Sequence, residues 1–323
     1  MASLGDLPPN PSDKTADESL QWERKVIHDL AFAAIKEQRN SRRWGYVFKG
    51  LIALYFIALL LLAMPQGQHQ PSQEHTALID IQGVIAADTE TNATDITKSI
   101  RHAFDNEQAQ GLILRMNTPG GSPVQSGMIY DEIQRLKQKR PDFPVYAVIE
   151  DICASGGYYI AAAATKIYAD KASIVGSIGV RMDSFGFQQA IKQLGIERRS
   201  LTAGENKAFL DPFLPMQKKD VQHAQLMLDN VHQQFIHVVK TGRGEKLVDN
   251  PDLFSGLFWS GEQALPLGLV DGLASSDSVA RDLIGNDIII NYTPKPDYLD
   301  QFANRFASSL HQIGYKLTSI QVY

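Results

Sequence analysis

Apolar and polar positions alternate along this chain in three regimes. From Leu20 to Arg43, apolar residues recur at Ile27, Leu30, Ala34 and Ile35 with basic residues between them. That spacing predicts an amphipathic helix of the kind that lies along a membrane surface. Tyr46 to Met64 then reads YVFKGLIALYFIALLLLAM, apolar on every face. Nineteen helical residues span about 28 Å, close to the hydrocarbon thickness of a bilayer. From Thr76 onward, short apolar runs alternate with helical periods. Strands are predicted at Ala77–Ile81, Gly111–Met116, Val145–Glu150, Lys166–Ala169 and Ile174–Val175, and helices at Ala93–Asn106, Val124–Gln138, Tyr158–Ala164 and Gln217–Lys240. Repeated β-α-β units predict an α/β fold with a largely parallel sheet. Ser260 is a predicted N-cap of one more helix, and Tyr298–Leu317 carries an apolar face at Phe302, Phe306, Leu310, Ile313 and Leu317.

These patterns divide the chain into a segment over 1–45 with a polar start, a transmembrane signal anchor over 46–64, a polar linker over 65–75, an α/β domain over 76–290 and a helical tail over 291–323. Lys36, Arg39, Arg42 and Arg43 precede the apolar span, and the next basic residue after it is Lys98 beyond Lys49. The positive-inside rule therefore places the N-terminus in the cytoplasm and the α/β domain on the outer side. The long polar start and the lack of a small-residue cleavage site argue against a cleaved signal peptide.

Composition changes this picture little. The net charge of −5 gives a nucleic-acid partner no electrostatic support. The single cysteine, Cys153, makes no internal disulfide, and no cysteine cluster points to zinc. With no histidine near it in sequence, Cys153 reads as a buried small residue rather than a nucleophile.

Candidate chemistry gathers where two predicted strands end. Ala154-Ser155-Gly156-Gly157 joins a strand to an Ala-rich helix. A serine there faces the unpaired N–H groups of a helix start, which can hold the charge formed when a hydroxyl attacks a carbonyl. Asn117-Thr118-Pro119-Gly120-Gly121 supplies a second glycine loop after another strand. Taken singly, each run is an ordinary turn or cap; their conjunction points to acyl transfer. The serine needs a base. No histidine lies between His102 and His223, both on predicted helices, so a neutral lysine is the alternative. Lys166, Lys171, Lys192 and Lys207 are candidates, and the apolar run Ala208-Phe209-Leu210 beside Lys207 favours it, since burial lowers an amine's pKa. Ser177, in Gly176-Ser177-Ile178-Gly179, reads on its own as a turn residue.

These pieces, with Val175–Val180, Gly204-Glu205-Asn206-Lys207, Ser260–Ala264 and Gly268-Leu269-Val270-Asp271, resemble the signal peptide peptidase A-type serine proteases of family S49 over about Thr76 to Gly285. The resemblance implies a ClpP/crotonase-like fold and a Ser-Lys dyad. In it Ser155 matches the nucleophile, Lys207 the general base, and Ser177 a serine that positions the lysine. Gly120 and Gly156 match the oxyanion donors, with Gly121 a near alternative to Gly120. It further implies remnant signal peptides or other hydrophobic or unfolded polypeptides as substrates, no metal or cofactor, and ring-shaped homo-oligomers in which serine and lysine meet across protomers. The expected location is a bacterial inner membrane with the catalytic domain outside. Tyr158, Phe209 and Phe213 are expected to line substrate pockets. The alternatives of other classes are a crotonase-type acyl-CoA enzyme and a non-catalytic membrane scaffold.

Overall fold

The computed structural model describes residues 16–63 and 73–294, and the chain separates into two units, Met1–Gln68 and His69–Tyr323. The polar start over 1–15, most of the linker and the expected helix at Tyr298–Leu317 lie outside the described residues.

In the first unit one helix, α1, runs unbroken over Ala16–Ala63. Its aromatic and aliphatic side chains from Trp44 and Tyr46 through Leu51, Leu54, Tyr55 and Ile57 are exposed. Among the described residues no helix is long and apolar enough to cross a membrane. The span expected at Tyr46–Met64 runs past residue 59, and the side chains from 60 to 64 lie outside those described.

The second unit is built on an eight-stranded sheet in the order β6-β5-β3-β2-β1-β8, with β4 and β7 branching from β3. The strands are β1 (His75–Ile85), β2 (Ala109–Gly121), β3 (Val145–Ala154), β4 (Lys166–Ala169), β5 (Ile174–Gly176), β6 (Phe258–Ser260), β7 (Gly272–Leu273) and β8 (Ile289–Asn291). Every pairing is parallel except β5 with β6. The helices of this unit are α2 (Ala93–Asp105), α3 (Pro123–Lys139), α4 (Gly156–Ala161), α5 (Gln188–Gln193), α6 (Lys218–Arg243), α7 (Gly261–Ala264) and α8 (Ser276–Val279).

Local signals explain the helix starts. Asn92 caps α2 by accepting from Asp95 N–H. Ser122 caps α3 with Pro123 at its first position, where the missing N–H costs nothing. Ser260 caps α7 in a reciprocal capping box with Gln263, as its sequence predicts. Ile96, Ile100, Ala103 and Phe104 of α2 and Ile129, Ile133 and Leu136 of α3 recur at helical spacing and are buried. They cover the sheet face bearing Ile79, Ile81, Leu112, Leu114, Met116, Ala147 and Ile149. The opposite face, with Leu78, Ile113, Val148 and Tyr168, is covered by Val279 and Ala280.

One branching point shapes the site. The first part of β3 pairs with β4 (Tyr146–Ile149 against Lys166–Ala169), and its last part pairs with β5 (Ile152–Ala154 against Ile174–Gly176). The ends of β2, β3 and β5 therefore converge on one edge, where ligands of parallel sheets gather.

Candidate functional site

Ser155 follows the last residue of β3 and stands at the N-cap position of α4 with no capping hydrogen bond from its side chain, at φ 52° and ψ −124°. A side chain rarely adopts that conformation, and holding it costs on the order of 1–3 kcal/mol. Its surroundings impose it: Ser155 N–H donates to Gly176 O at 2.8 Å, and Ser155 O accepts from Tyr159 N–H at 3.0 Å. The neighbouring strand end repeats the pattern. Ser177 has φ 53°, and its N–H donates to Leu257 O at 2.7 Å. Both serines are partly accessible.

The glycine loop at the end of β2 closes against this turn. A Cβ at Gly120 would stand 2.7 Å from Ala154 O, 2.7 Å from Gly156 N and 2.8 Å from the Ser155 Cβ, at a φ of +97°. Only glycine fits there. The Gly120 N–H donates to Thr118 Oγ1 at 3.0 Å, and Thr118 Oγ1 donates to Gly83 O. Gly121 is different. Ile85 O accepts from Ser122 N–H, so the parallel ladder turns the Gly121 N–H away from β1. Gly156 lies on that side, since a Cβ on it would stand 3.2 Å from Gly121 N. The Gly121 nitrogen and the first residue of α4 thus lie close together beside Ser155. Ser126 of α3 packs behind them, its hydroxyl 2.5 Å from the place a Gly156 Cβ would take.

Lys207 stands in a turn opened by Gly204 and is exposed, so within one chain Ala208-Phe209-Leu210 does not desolvate it. Its loop leans on the start of α6: Lys219 Nζ donates to Asn206 Oδ1 at 3.2 Å, and Phe209 meets the His223 ring edge to face at 5.7 Å. The turn of Ser177 leans on the same helix further along, where His232 Nε2 meets Ile178 O at 3.1 Å. Residues 219–223 and 232 are about 14–20 Å apart along a helix axis. The structure brings Ser155, Ser177, Gly120, Gly121 and Gly156 to one edge, and holds the Lys207 loop at a different level of α6.

The other candidates separate cleanly. Lys166, Lys171, Lys192, His102 and His223 are exposed. Cys153 is fully buried, and burial pushes its thiol well above the usual range, as its structural reading requires. Tyr158 is a correction: it is fully buried and donates its hydroxyl to Leu269 O at 2.6 Å, so it belongs to the core and not to a substrate pocket. Phe209 and Phe213 are half-buried. His232 was not legible as a contact of the Ser177 turn; its signal is a polar residue on the buried stripe of α6 with Ala224, Phe235 and Val239. Gly268-Leu269-Val270-Asp271 is a structural lock. Asp271 accepts from Arg243 Nη1 at 2.6 Å, Lys246 Nζ at 2.6 Å and Ile167 N–H at 2.8 Å.

Residues 137–285 match the family described as peptidase family S49. The chain is 46 % identical over 189 residues to a protein of Brucella abortus named Na(+)/H(+) antiporter NhaA, a match covering 58 % of this chain and 26 % of that protein. It is 32 % identical over 192 residues to a putative protease of Methanocaldococcus jannaschii, covering 58 % of this chain and 61 % of the relative. It is 30 % identical over 258 residues to protease 4 of Haemophilus influenzae, covering 78 % and 42 %. The chain thus spans from about a quarter to about three fifths of the length of these relatives.

Proposed function

We propose that the chain, whose residues 137–285 match peptidase family S49, is an S49 peptidase and acts as a membrane-anchored serine endopeptidase with a Ser155–Lys207 dyad. The observation that carries the reading is the strained Ser155 turn, against which the Gly120-Gly121 loop closes and brings the Gly121 and Gly156 N–H groups near it. Ser155 Oγ attacks the peptide carbonyl while the neutral Lys207 amine takes its proton. The carbonyl oxygen, now negative, rests on the two N–H groups. The lysine returns the proton to the leaving amine as the C–N bond breaks, and water then hydrolyses the ester by the same steps in reverse. Gly120, whose N–H is already donated, supplies close approach rather than a donor. Ser177 is proposed to hold the lysine amine.

The exposure of Lys207, and the separate levels at which its loop and the Ser177 turn lean on α6, support completion of the dyad between two copies of the chain in a ring. A neighbouring copy also gives the exposed lysine the apolar cover that lowers its pKa. The branched parallel sheet is in keeping with a ClpP/crotonase-like fold. Anchoring is supported by the exposed apolar surface of α1 from Trp44 to Ile57 and by the basic residues before it. We place the catalytic domain on the outer face of the inner membrane, acting on remnant signal peptides or other hydrophobic or unfolded polypeptides. The antiporter name belongs to proteins of which this chain covers 26 %, and no transport activity is proposed.

Cleavage of an apolar peptide by the wild type and its loss in Ser155→Ala, with the circular-dichroism spectrum unchanged, is the expected result. Full activity in Ser155→Ala overturns the reading, and turnover of an acyl-CoA thioester in place of peptide favours the acyl-CoA alternative.

A further inference from the structure

Residues 181–219 contain no buried side chain, yet they enclose a cavity of about 250 Å³ together with the start of α6. Phe185, Leu210, Leu214 and Met216 line it, and two acids, Asp211 and Asp220, face it. The two acids differ. Asp211 is occupied: it accepts from Phe213 N–H at 2.9 Å and from Arg198 Nη2 at 3.0 Å, and both hold its carboxyl below the usual range.

Asp220 is only 7 % exposed, and its carboxylate has no hydrogen-bond or ion-pair partner among the described residues. The nearest lysine in sequence turns elsewhere, Lys219 meeting Glu205 at 3.5 Å and Asn206 at 3.2 Å. The Asp220 oxygens keep some contact with solvent, but a carboxylate this confined and without a counter-charge loses part of its hydration. Its place in the first turn of α6 offsets part of that cost through the helix dipole. An exposed acid would serve the dipole equally well, so the dipole does not explain the burial. A cation entering the cavity does.

We infer that this cavity is a substrate subsite that takes the side chain of a lysine or arginine, its aliphatic stem against the apolar walls and its charged head on Asp220. Long basic side chains are built in this way, apolar along the stem and charged at the tip. The inference rests on the peptidase reading, and one feature ties it to that site. Ala208 lines the cavity and is the residue after Lys207, so the cavity adjoins the loop that carries the proposed base. The preferred polypeptide is therefore one in which a basic residue interrupts an apolar run.

The test uses full-length protein in detergent and sets of quenched fluorescent peptides, identical except for lysine, norleucine or glutamate at one scanned position. At one position the wild type is expected to cleave the lysine peptide about tenfold or more faster in kcat/KM than the norleucine peptide. Asp220→Asn is expected to bring that ratio to about one, and Asp220→Lys to favour glutamate. A lysine preference at no position, or one that persists in Asp220→Asn, overturns the inference. So does a change of oligomeric mass in Asp220→Asn with the ratio intact, which would assign Asp220 to contacts between copies. Binding of the same peptides to Ser155→Ala, read by fluorescence anisotropy, separates the two proposals. If no peptide is cleaved, the peptidase reading falls, and tighter binding of lysine over norleucine, lost in Asp220→Asn, still decides the subsite.

Discussion

Ser155 and Ser177 leave adjacent strands with nearly equal positive φ angles, 52° and 53°, and the N–H of Ser155 is bonded at 2.8 Å to the carbonyl just before Ser177. Two non-glycine residues so strained side by side point to retention of the side chains for chemistry. Ser155→Gly should relieve the strain. The expected result is a melting temperature equal to or above that of the wild type, with activity lost. A fall of several degrees would mean that the serine is kept for stability.

The fit of Gly120 makes a second prediction. A methyl group at this position meets Ala154 O and Gly156 N at 2.7 Å, so the two loops must part. Displacing the reacting groups by about 1 Å costs on the order of 10²-fold in rate. Gly120→Ala should lose about that much activity on an apolar peptide while its circular-dichroism spectrum stays that of a folded domain. Activity within twofold of the wild type would contradict the role given to this loop.

The gap between the Lys207 loop and the Ser177 turn along α6 predicts complementation. Ser155→Ala and Lys207→Ala are each expected to be inactive alone. Mixed under conditions in which copies exchange, they should regain part of the wild-type rate, because some sites then pair an intact serine with an intact lysine from another copy. No recovery in well-mixed oligomers would return the dyad to a single chain.

A third region bears on stability and pH. The Glu132 carboxyl is held at about 2, below its ordinary 4.5, first by the hydrogen bond from Arg135 and then by Arg101, against the opposing effect of burial. A depressed carboxylate stabilises the fold fully above its unfolded value and loses that contribution as pH falls through the folded one. Glu132→Gln should therefore unfold at lower urea than the wild type from pH 7 down to about 5, with the difference closing toward pH 2. A difference that grows on acidification would refute this assignment.

Much of the fold was legible because its signals are local. The five expected strands and four helices of the α/β unit all appear, most with longer ends, since periodicity marks a buried face better than it marks a terminus. Lys166–Ala169 matches to the residue. Ser260 was legible as a cap because a hydroxyl three residues before Gln263 satisfies two N–H groups at once. The site was legible only in part. Glycine pairs announce loops that need special backbone, but not which N–H is already spent, and the bond from Gly120 to Thr118 depends on tertiary folding. Tyr158 looked like a pocket residue because it follows the serine; helix rotation turns it into the core. The apolar neighbours of Lys207 suggested burial, but no core from the same chain covers residues 181–219.

Asp271 shows a motif with a structural task. Arg243, with its side chain 1 % exposed, is held by Asp271 at 2.6 Å, and its Nε donates to Gly268 O at 2.8 Å. Removing one partner leaves a buried charge unpaired, at a cost of about 3–5 kcal/mol. Asp271→Ala should lower the urea midpoint accordingly. A change within about 0.5 kcal/mol, the range of an ordinary surface substitution, would show that the lock is not needed.

The most direct measurement is covalent labelling of the full-length protein by a fluorophosphonate probe, with the modified residue read by mass spectrometry. Activation by a neutral lysine predicts a single label on Ser155, abolished in Lys207→Ala and restored when Lys207→Ala is mixed with Ser155→Ala. Label on another residue, or equal labelling of Ser155 in Lys207→Ala, would contradict the dyad.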